Sequence, residues 1–269
     1  MNKITSRDNP KLKHARRVRD GKAADEIFVE GVRLAEEALS SDTVINSVLI
    51  SSNFGKNTRD AQLVRALENR GSALYEVDER LLRSIADTKN SQGVLLLCRR
   101  PDTSFSRFEQ RDPKRAGGLT IFLSRVNNPA NLGAILRTAE AAGVSGVIVS
   151  RNSTDAFSPR SLRASMGSAL RLSIWEDAAF DDVTGWAREH GLITTAADIG
   201  ADLDYAAIDW NRLRLLVFGS EAEGLSSSEL AEIDEQIRIP MENGVESLNL
   251  AVSCGVILFE ARRQRSLIG

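Results

Sequence analysis

The chain has 269 residues, enough for one large domain or two of ordinary size, and 42% of them are apolar and 27% charged. This mix is typical of a globular protein. No apolar run is long enough to span a bilayer, and the first residues lack the apolar core of a signal peptide, so we expect a cytoplasmic protein without a membrane segment.

The net charge of −2 conceals an uneven distribution of charge. Within residues 1–22 only Asp8 and Asp20 are acidic. The basic side chains of this stretch are Lys3, Arg7, Lys11, Lys13, Arg16, Arg17, Arg19 and Lys22. A basic patch beside an otherwise acidic body is a candidate phosphate-binding surface. The alternative is the solvated face of an N-terminal helix.

The chain has only two cysteines and two histidines. Cys98 and Cys254 both lie in apolar runs, and His14 and His190 are far apart and lack ligand spacing. We therefore expect two buried, reduced cysteines, no disulfide, no bound metal and no catalysis by histidine.

The first hundred residues alternate between helical and extended patterns. We predict a basic helix within residues 1–22, strands at 26–31, 44–51, 73–77 and 94–98, and helices at 32–39, 60–70 and 79–86. This is an α/β module of the size of a small domain. The following residues are rich in proline, glycine and mixed charges, which predicts a linker at 101–118.

The remainder, residues 119–269, alternates more regularly. We predict strands at 119–124, 147–149, 172–174, 192–197, 213–218 and 236–239, and helices at 129–142, 161–167, 181–190, 227–233 and 248–263. Short apolar strands between helices indicate a mostly parallel sheet that is covered on both faces. Ligands bind such sheets at the loops beyond the carboxyl ends of the strands.

The first polar loop follows the predicted strand 119–124. Asn128 and Pro129 suit the cap and the first position of the next helix. They leave Asn131 and Arg137 unexplained, although an exposed helical arginine is often simply solvated. Six residues correspond to about 600° of helical rotation, so these two side chains point apart unless Asn131 lies in the loop.

Two further polar loops follow later strands. The second runs from Gly219 through Glu221 to Gly224, where glycine permits close approach of a ligand and a tight turn, although its acids also suit ordinary helix capping. The third leads from Ile239 to the start of the last helix, where Ser247 and Asn249 lie. Because a helix start carries unpaired N–H groups, it attracts polar ligands, although Ser247 alone also fits a simple cap.

Taken in order, the three loops resemble the motifs of the SpoU/TrmH branch of the SPOUT methyltransferases. The matching pieces are Asn131 with Arg137, then Gly219-Ser220-Glu221 with Gly224-Leu225, then Ile239-Pro240-Met241 ahead of Glu246-Ser247-Leu248-Asn249-Leu250. The resemblance spans residues 119–269. Residues 1–100 resemble, more weakly, the small substrate-binding domain of that family, which is related to ribosomal RNA-binding proteins.

The resemblance implies a fold, a reaction and an assembly. The expected fold is α/β, with a mostly parallel SPOUT sheet threaded into a deep trefoil knot behind a small N-terminal substrate-binding domain. The expected reaction transfers a methyl group from S-adenosylmethionine to a ribose 2′-hydroxyl of RNA. Large-subunit (23S) ribosomal RNA is favoured over tRNA. A homodimer whose active site draws on both subunits is also implied.

The resemblance also implies roles for individual residues. Backbone groups of Gly219, Ile239 and Leu248 would contact the adenine and ribose of the cofactor. The catalytic side of the site would consist of Asn131, Arg137, Glu221, Ser247 and Asn249.

Two other functions compete with this reading. A non-catalytic RNA-binding protein that keeps the fold would not bind the cofactor. A dinucleotide-dependent metabolic enzyme would need a glycine-rich turn, but in the first polar loop only Gly133 is present and no second glycine follows at the required spacing.

Overall fold

A computed structural model describes residues 2–110 and 118–266 of the chain. Its elements up to residue 101 are β1 (Asn2–Ile4), α1 (Pro10–Arg19), β2 (Glu26–Glu30), α2 (Val32–Ser40), β3 (Ile45–Ser51), α3 (Thr58–Asn69), β4 (Ala73–Val77), α4 (Glu79–Ile85) and β5 (Val94–Arg99). Most match the predicted elements closely. The three-residue strand β1 was not predicted, because the basic pattern of this stretch indicates a helix.

The later elements place a strand before and a helix after each of the three polar loops. They are α5 (Phe105–Glu109), β6 (Leu119–Leu123), α6 (Pro129–Ala142), β7 (Gly146–Ser150), α7 (Pro159–Ser165), β8 (Ile174–Ala178), α8 (Phe180–Glu189), β9 (Ile193–Ala197), β10 (Leu203–Asp204), β11 (Arg214–Phe218), α9 (Ser227–Ala231), β12 (Glu235–Arg238) and α10 (Leu250–Ser266). A 3₁₀ turn covers Ser168–Leu170.

The chain divides into two compact units. The first comprises the described residues up to Pro101 together with Ala156–Arg171, and the second comprises Asp102–Asp155 and the described residues from Leu172 onward. Helix α7 thus packs in the first unit, where Arg163 forms an ion pair with Asp87 at 2.6 Å. Sequence order alone did not indicate this placement. The functional division at residues 101–118 remains a prediction.

In the first unit, a five-stranded mixed sheet has the order β1-β4-β3-β5-β2. The pairs β1–β4 and β3–β4 are parallel, and β5 runs antiparallel to β3 and β2. Helix α1 inserts Leu12, Ala15 and Val18 into the core, which is the narrow apolar stripe expected of a basic surface helix.

In the second unit, seven strands form a wholly parallel sheet with the order β10-β12-β9-β11-β6-β7-β8. Strands β6 and β11 are buried at every position, as expected for a parallel sheet covered on both faces. The predicted α/β class is confirmed. The trefoil knot stays a prediction.

Helix α5 lies inside the stretch that composition marked as a linker. Its Phe108 is buried, and the Phe108 ring packs against Trp175 and Trp186 of the second unit at centroid distances of 6.0 and 5.5 Å. The remaining linker residues, 111–117, lie outside the described part of the chain. One aromatic side chain therefore anchors the start of the supposed linker.

Across 2–110 and 118–266, no helix has the length and apolar character needed to cross a membrane. No cluster of three or more histidine, cysteine, aspartate or glutamate side chains in those ranges has a geometry that could hold a metal ion.

Candidate active site at the carboxyl edge of the parallel sheet

Two of the three predicted loops begin side by side because their strands are neighbours. Phe218 of β11 is paired with Leu123 of β6, and the Ser124 N–H donates to the Phe218 carbonyl at 2.8 Å. The loops after both strands therefore leave the same edge of the sheet, the carboxyl edge at which ligands of such folds bind.

Glu221 fastens the second loop to the first. Its carboxylate accepts hydrogen bonds from the backbone N–H groups of Asn127 at 3.2 Å and Asn128 at 3.4 Å. It also accepts one from Nδ2 of Asn131 at 3.2 Å. The carboxylate thus satisfies donors at the start of α6, where the helix dipole favours a negative charge.

Asn249 connects the third loop to the first. Its Nδ2 donates to Oδ1 of Asn131 at 3.2 Å, while its own Oδ1 accepts from the Ala251 N–H at 3.0 Å. Asn249, rather than Ser247, therefore caps α10, and the helix begins two residues later than predicted. We call the hydrogen-bonded set Asn131, Glu221 and Asn249 the polar triad.

Arg137 does not join the polar triad. Asn131 is already the third residue of α6, so Arg137 points about 120° away from it around the helix. The Arg137 side chain is exposed, and it makes no hydrogen bond or ion pair within the described ranges. A single chain thus assembles the amides and the carboxylate but leaves this guanidinium outside their network.

The predicted cofactor residues lie around the same edge. Gly219 is buried, Ile239 and Leu248 are half-buried, and Ser247 is exposed. After Gly219 the loop closes on itself, since Ser220 and Gly224 exchange two backbone hydrogen bonds of 3.1 Å.

The residues before α10 fit a ligand that is recognised by main-chain groups. From Glu246 to Leu248 the chain is irregular, and no backbone group there has a hydrogen-bond partner among the described residues. Adenine and ribose present donors and acceptors that such free N–H and C=O groups can match, with Ile239 and Leu248 as apolar walls. The free backbone groups of this segment are therefore compatible with an adenosine-containing cofactor.

Arg125 is a structurally important residue that the sequence reasoning missed. Its guanidinium makes two bonds to the Glu229 carboxylate, at 2.6 and 2.9 Å, and one to the Gly224 carbonyl at 3.2 Å. The backbone of Arg125 has a φ of 56°, which is rare for a residue with a side chain. The Ser226-x-x-Glu229 capping box was a signal that Glu229 is fixed in place.

This ion pair predicts a pH-dependent stability. Hydrogen bonds from Arg125 and from Ser226 lower the pKa of Glu229 from 4.5 to about 2. Because the folded pKa is depressed, the stabilisation is present above pH 4.5 and is lost as the pH falls towards 2. We expect Glu229→Gln to lower the free energy of unfolding at pH 7 by roughly 1 kcal/mol, since glutamine keeps the cap but not the charge.

Denaturant unfolding of both proteins between pH 7 and pH 3 would test this. The difference between them should shrink below pH 4.5, whereas Glu189→Gln, at an exposed helical position, should behave like the unmodified chain at every pH. A difference that stays constant down to pH 3 would mean that the Glu229 charge is not the cause.

Comparison with known proteins places the chain in a family. Over residues 118–259 the sequence matches the SpoU rRNA methylase family. Over residues 28–104 it matches the family described as RNA 2′-O ribose methyltransferase substrate binding. The first match alone covers more than half of the chain.

Individual relatives are similar to this chain over most of its length. A protein of Synechocystis sp. that is named an uncharacterized tRNA/rRNA methyltransferase is 32% identical over 97% of this chain and 94% of its own. The 23S rRNA (guanosine-2′-O-)-methyltransferase RlmB of Ralstonia nicotianae is 31% identical over 88% of this chain and 93% of its own. The crystal structure of an AdoMet-bound rRNA methyltransferase from Sinorhizobium meliloti superposes with a TM-score of 0.85 at 30% identity, covering 97% of both chains. The chain therefore belongs to the SpoU family of S-adenosylmethionine-dependent RNA 2′-O-methyltransferases.

Proposed function

We propose that this protein methylates a ribose 2′-hydroxyl of large-subunit ribosomal RNA in the cytoplasm. The observation that carries the proposal is the polar triad, because it joins all three loops at the ligand-binding edge of the sheet. The Ralstonia relative supports the choice of ribosomal RNA, since its name specifies 23S rRNA and a guanosine 2′-O position.

S-adenosylmethionine would bind between the loop that follows Gly219 and the segment before α10. Main-chain groups at Gly219, Ile239 and Leu248 would hold its adenine and ribose, and Ser247 and Asn249 its ribose and methionine ends. When bound, the cofactor supplies a methyl group already activated by a positive sulfur. The task left to the protein is alignment and charge stabilisation.

Arg137 would act on the RNA. A guanidinium is protonated at any physiological pH, so it is a poor general base. It is well suited to clamp the adjacent phosphate in two bonds and to stabilise negative charge that develops on the 2′-oxygen. Asn131 would orient the reacting groups, and Glu221 would keep the loops in order through the polar triad.

We further propose that the protein works as a homodimer. Val252, Val256 and Phe259 lie at i, i+4 and i+7 of α10, and Val252 and Phe259 are 51% and 49% exposed. Such an apolar stripe on a helix suits burial against a second copy. Arg137 lies outside the polar triad of its own chain. In a dimer it would complete an active site together with the partner chain.

The Phe259→Glu variant should be monomeric in analytical ultracentrifugation, because a carboxylate buried in an apolar interface is strongly unfavourable. Its circular dichroism spectrum should match that of the unmodified chain, since the side chain is already half exposed in the single chain. Its melting temperature should fall, because the stabilisation that dimerisation adds is lost. Val44→Glu places the same charge at another exposed apolar position and should leave the assembly unchanged. A dimer that survives Phe259→Glu would exclude this face as the interface.

The reaction is tested with purified protein, labelled S-adenosylmethionine and separate pools of undermodified ribosomal RNA and tRNA. Label in ribosomal RNA that survives alkali as a dinucleotide supports the proposal, because a methylated 2′-oxygen cannot attack the neighbouring phosphate. The same product in the tRNA pool alone would redirect the target. No transfer and no cofactor binding would favour a non-catalytic RNA-binding protein.

A further inference from the structure

The first unit contains a cavity of about 200 Å³ at the carboxyl ends of strands β3 and β4. Its lining includes Asn53 and Phe54 from the loop after β3, Glu79 and Arg83 from α4, and Ser91 and Gln92 ahead of β5. None of these residues belongs to the candidate active site. All of them lie within the segment that matches the substrate-binding family.

The floor of the cavity is fixed by backbone hydrogen bonds. The Ser51 N–H donates to the Gly93 carbonyl at 2.8 Å, and the Ser52 N–H donates to the Val77 carbonyl at 3.1 Å. A Cβ on Gly93 would lie 2.7 Å from Oγ of Ser51 and 3.4 Å from Cδ2 of Phe54, and Gly93 has a φ of +84°. The positive φ and the nearby Ser51 hydroxyl therefore favour glycine at this position, while Phe54 lies at van der Waals distance from it.

The polar walls present both donors and acceptors. Nδ2 of Asn53 donates to Oε2 of Glu79 at 2.7 Å, and Arg83 forms an ion pair with the same carboxylate. Oε1 of Gln92 accepts from the Val32 N–H at 2.8 Å, which orients its amide at the start of α2. The Asn53 bond and Arg83 hold the pKa of Glu79 below its ordinary value, so Glu79 is a carboxylate at neutral pH.

The charges around the cavity disfavour a simple anion as the ligand, because Asp60 and Glu79 give its lining two carboxylates and Arg83 gives it one cation. The cations Lys56 and Arg83 are exposed beside them. A neutral planar ring with N–H donors and carbonyl acceptors matches the amides and the carboxylate, and its faces match Phe54. Flanking phosphates match the two cations. These are the properties of one unstacked nucleotide of an RNA strand.

We propose that this cavity binds a single unpaired nucleobase of the RNA substrate. Phe54 stacks on the base, while Asn53, Glu79 and Gln92 contact its hydrogen-bonding edge. The inference rests on the proposed function in that it takes RNA as the substrate, and it adds a recognition site on the first unit. Such a site reads a splayed-out base in a loop or bulge, and it needs no sequence readout at the methylated ribose itself.

The test uses the full-length protein and a fluorescein-labelled single-stranded RNA of mixed sequence. The reference probe is the same backbone with abasic riboses. Fluorescence anisotropy should show that the unmodified chain prefers the base-bearing strand, and that Phe54→Leu binds this strand about tenfold more weakly, the usual effect of losing one base–aromatic stack. Phe54→Leu should bind the abasic strand as the unmodified chain does, and Phe54→Tyr should restore the preference.

Folding and chemistry are measured beside binding. The melting temperature and the calorimetric affinity for S-adenosylmethionine should be the same for the Phe54 variants and the unmodified chain. Base-dependent binding through Phe54 without any methyl transfer would uphold the cavity assignment and defeat the proposed function. Methyl transfer with equal binding by Phe54→Leu, or no preference of the unmodified chain for the base-bearing strand, would overturn the cavity assignment.

Discussion

Replacing Arg137 by alanine should lower kcat for methyl transfer by about 100-fold, the usual effect of removing one donor that stabilises a developing oxyanion. The affinity for S-adenosylmethionine should not change, because Arg137 is exposed and lies outside the hydrogen-bonded loops. Folding should also be unaffected, since the side chain has no partner in the described residues. Single-turnover kinetics with labelled cofactor, together with calorimetry, would separate these effects.

Two further variants sharpen the test of Arg137. Arg137→Lys keeps the charge but loses the planar pair of donors, so it should recover only part of the activity. Arg188→Ala removes another exposed helical arginine, on α8, and should leave transfer unchanged. An Arg137→Ala protein that keeps more than half of its activity would refute the assignment.

The sequence was most informative where local chemistry decides the structure. Asn128 caps α6 ahead of Pro129, and α6 has the predicted bounds, because a cap, a first-turn proline and a C-terminal glycine are all local signals. Strand β4 is also as predicted. The hydrogen bonds of Asn131 with Glu221 and with Asn249 do not follow from local signals. Asn131 is 90 positions from Glu221 and 118 from Asn249, and neither periodicity nor capping indicates that it bonds to both.

The features of the structure that the sequence did not predict have a common physical cause. Strand β1 exists only because it pairs with β4, more than seventy residues away, and β10 similarly depends on β12. Helix α7 packs with the first unit although its neighbours in sequence lie in the second. Arg125 has a left-handed backbone, and its side chain bonds to Glu229 and Gly224, about a hundred residues away. Each feature is set by tertiary contacts, which local patterns do not encode.

Gly219→Ala should abolish tight binding of S-adenosylmethionine and should destabilise the second unit. A Cβ at this position would lie 2.1 Å from the Gly224 carbonyl carbon and 2.4 Å from the Leu225 nitrogen. Both are backbone atoms, so no side-chain rotation relieves the overlap, and the ring closed by Ser220 and Gly224 must open. We expect a loss of about 3 kcal/mol in the free energy of unfolding, the upper end for an overpacked site.

Gly185→Ala is the matched control for Gly219→Ala. Gly185 lies inside α8, and an added Cβ meets nothing within 4 Å. Alanine is the better helix former there, so this variant should gain roughly 0.5–1 kcal/mol and bind the cofactor normally. Denaturant unfolding and calorimetric titration with S-adenosylmethionine would measure both variants. If Gly219→Ala is destabilised but binds the cofactor as tightly as the unmodified chain, the loop after β11 does not form the cofactor site. Loss of binding without loss of stability would instead show that the Gly219 backbone contacts the ligand directly. The two measurements therefore distinguish a backbone that only shapes the cofactor site from a backbone that contacts the cofactor.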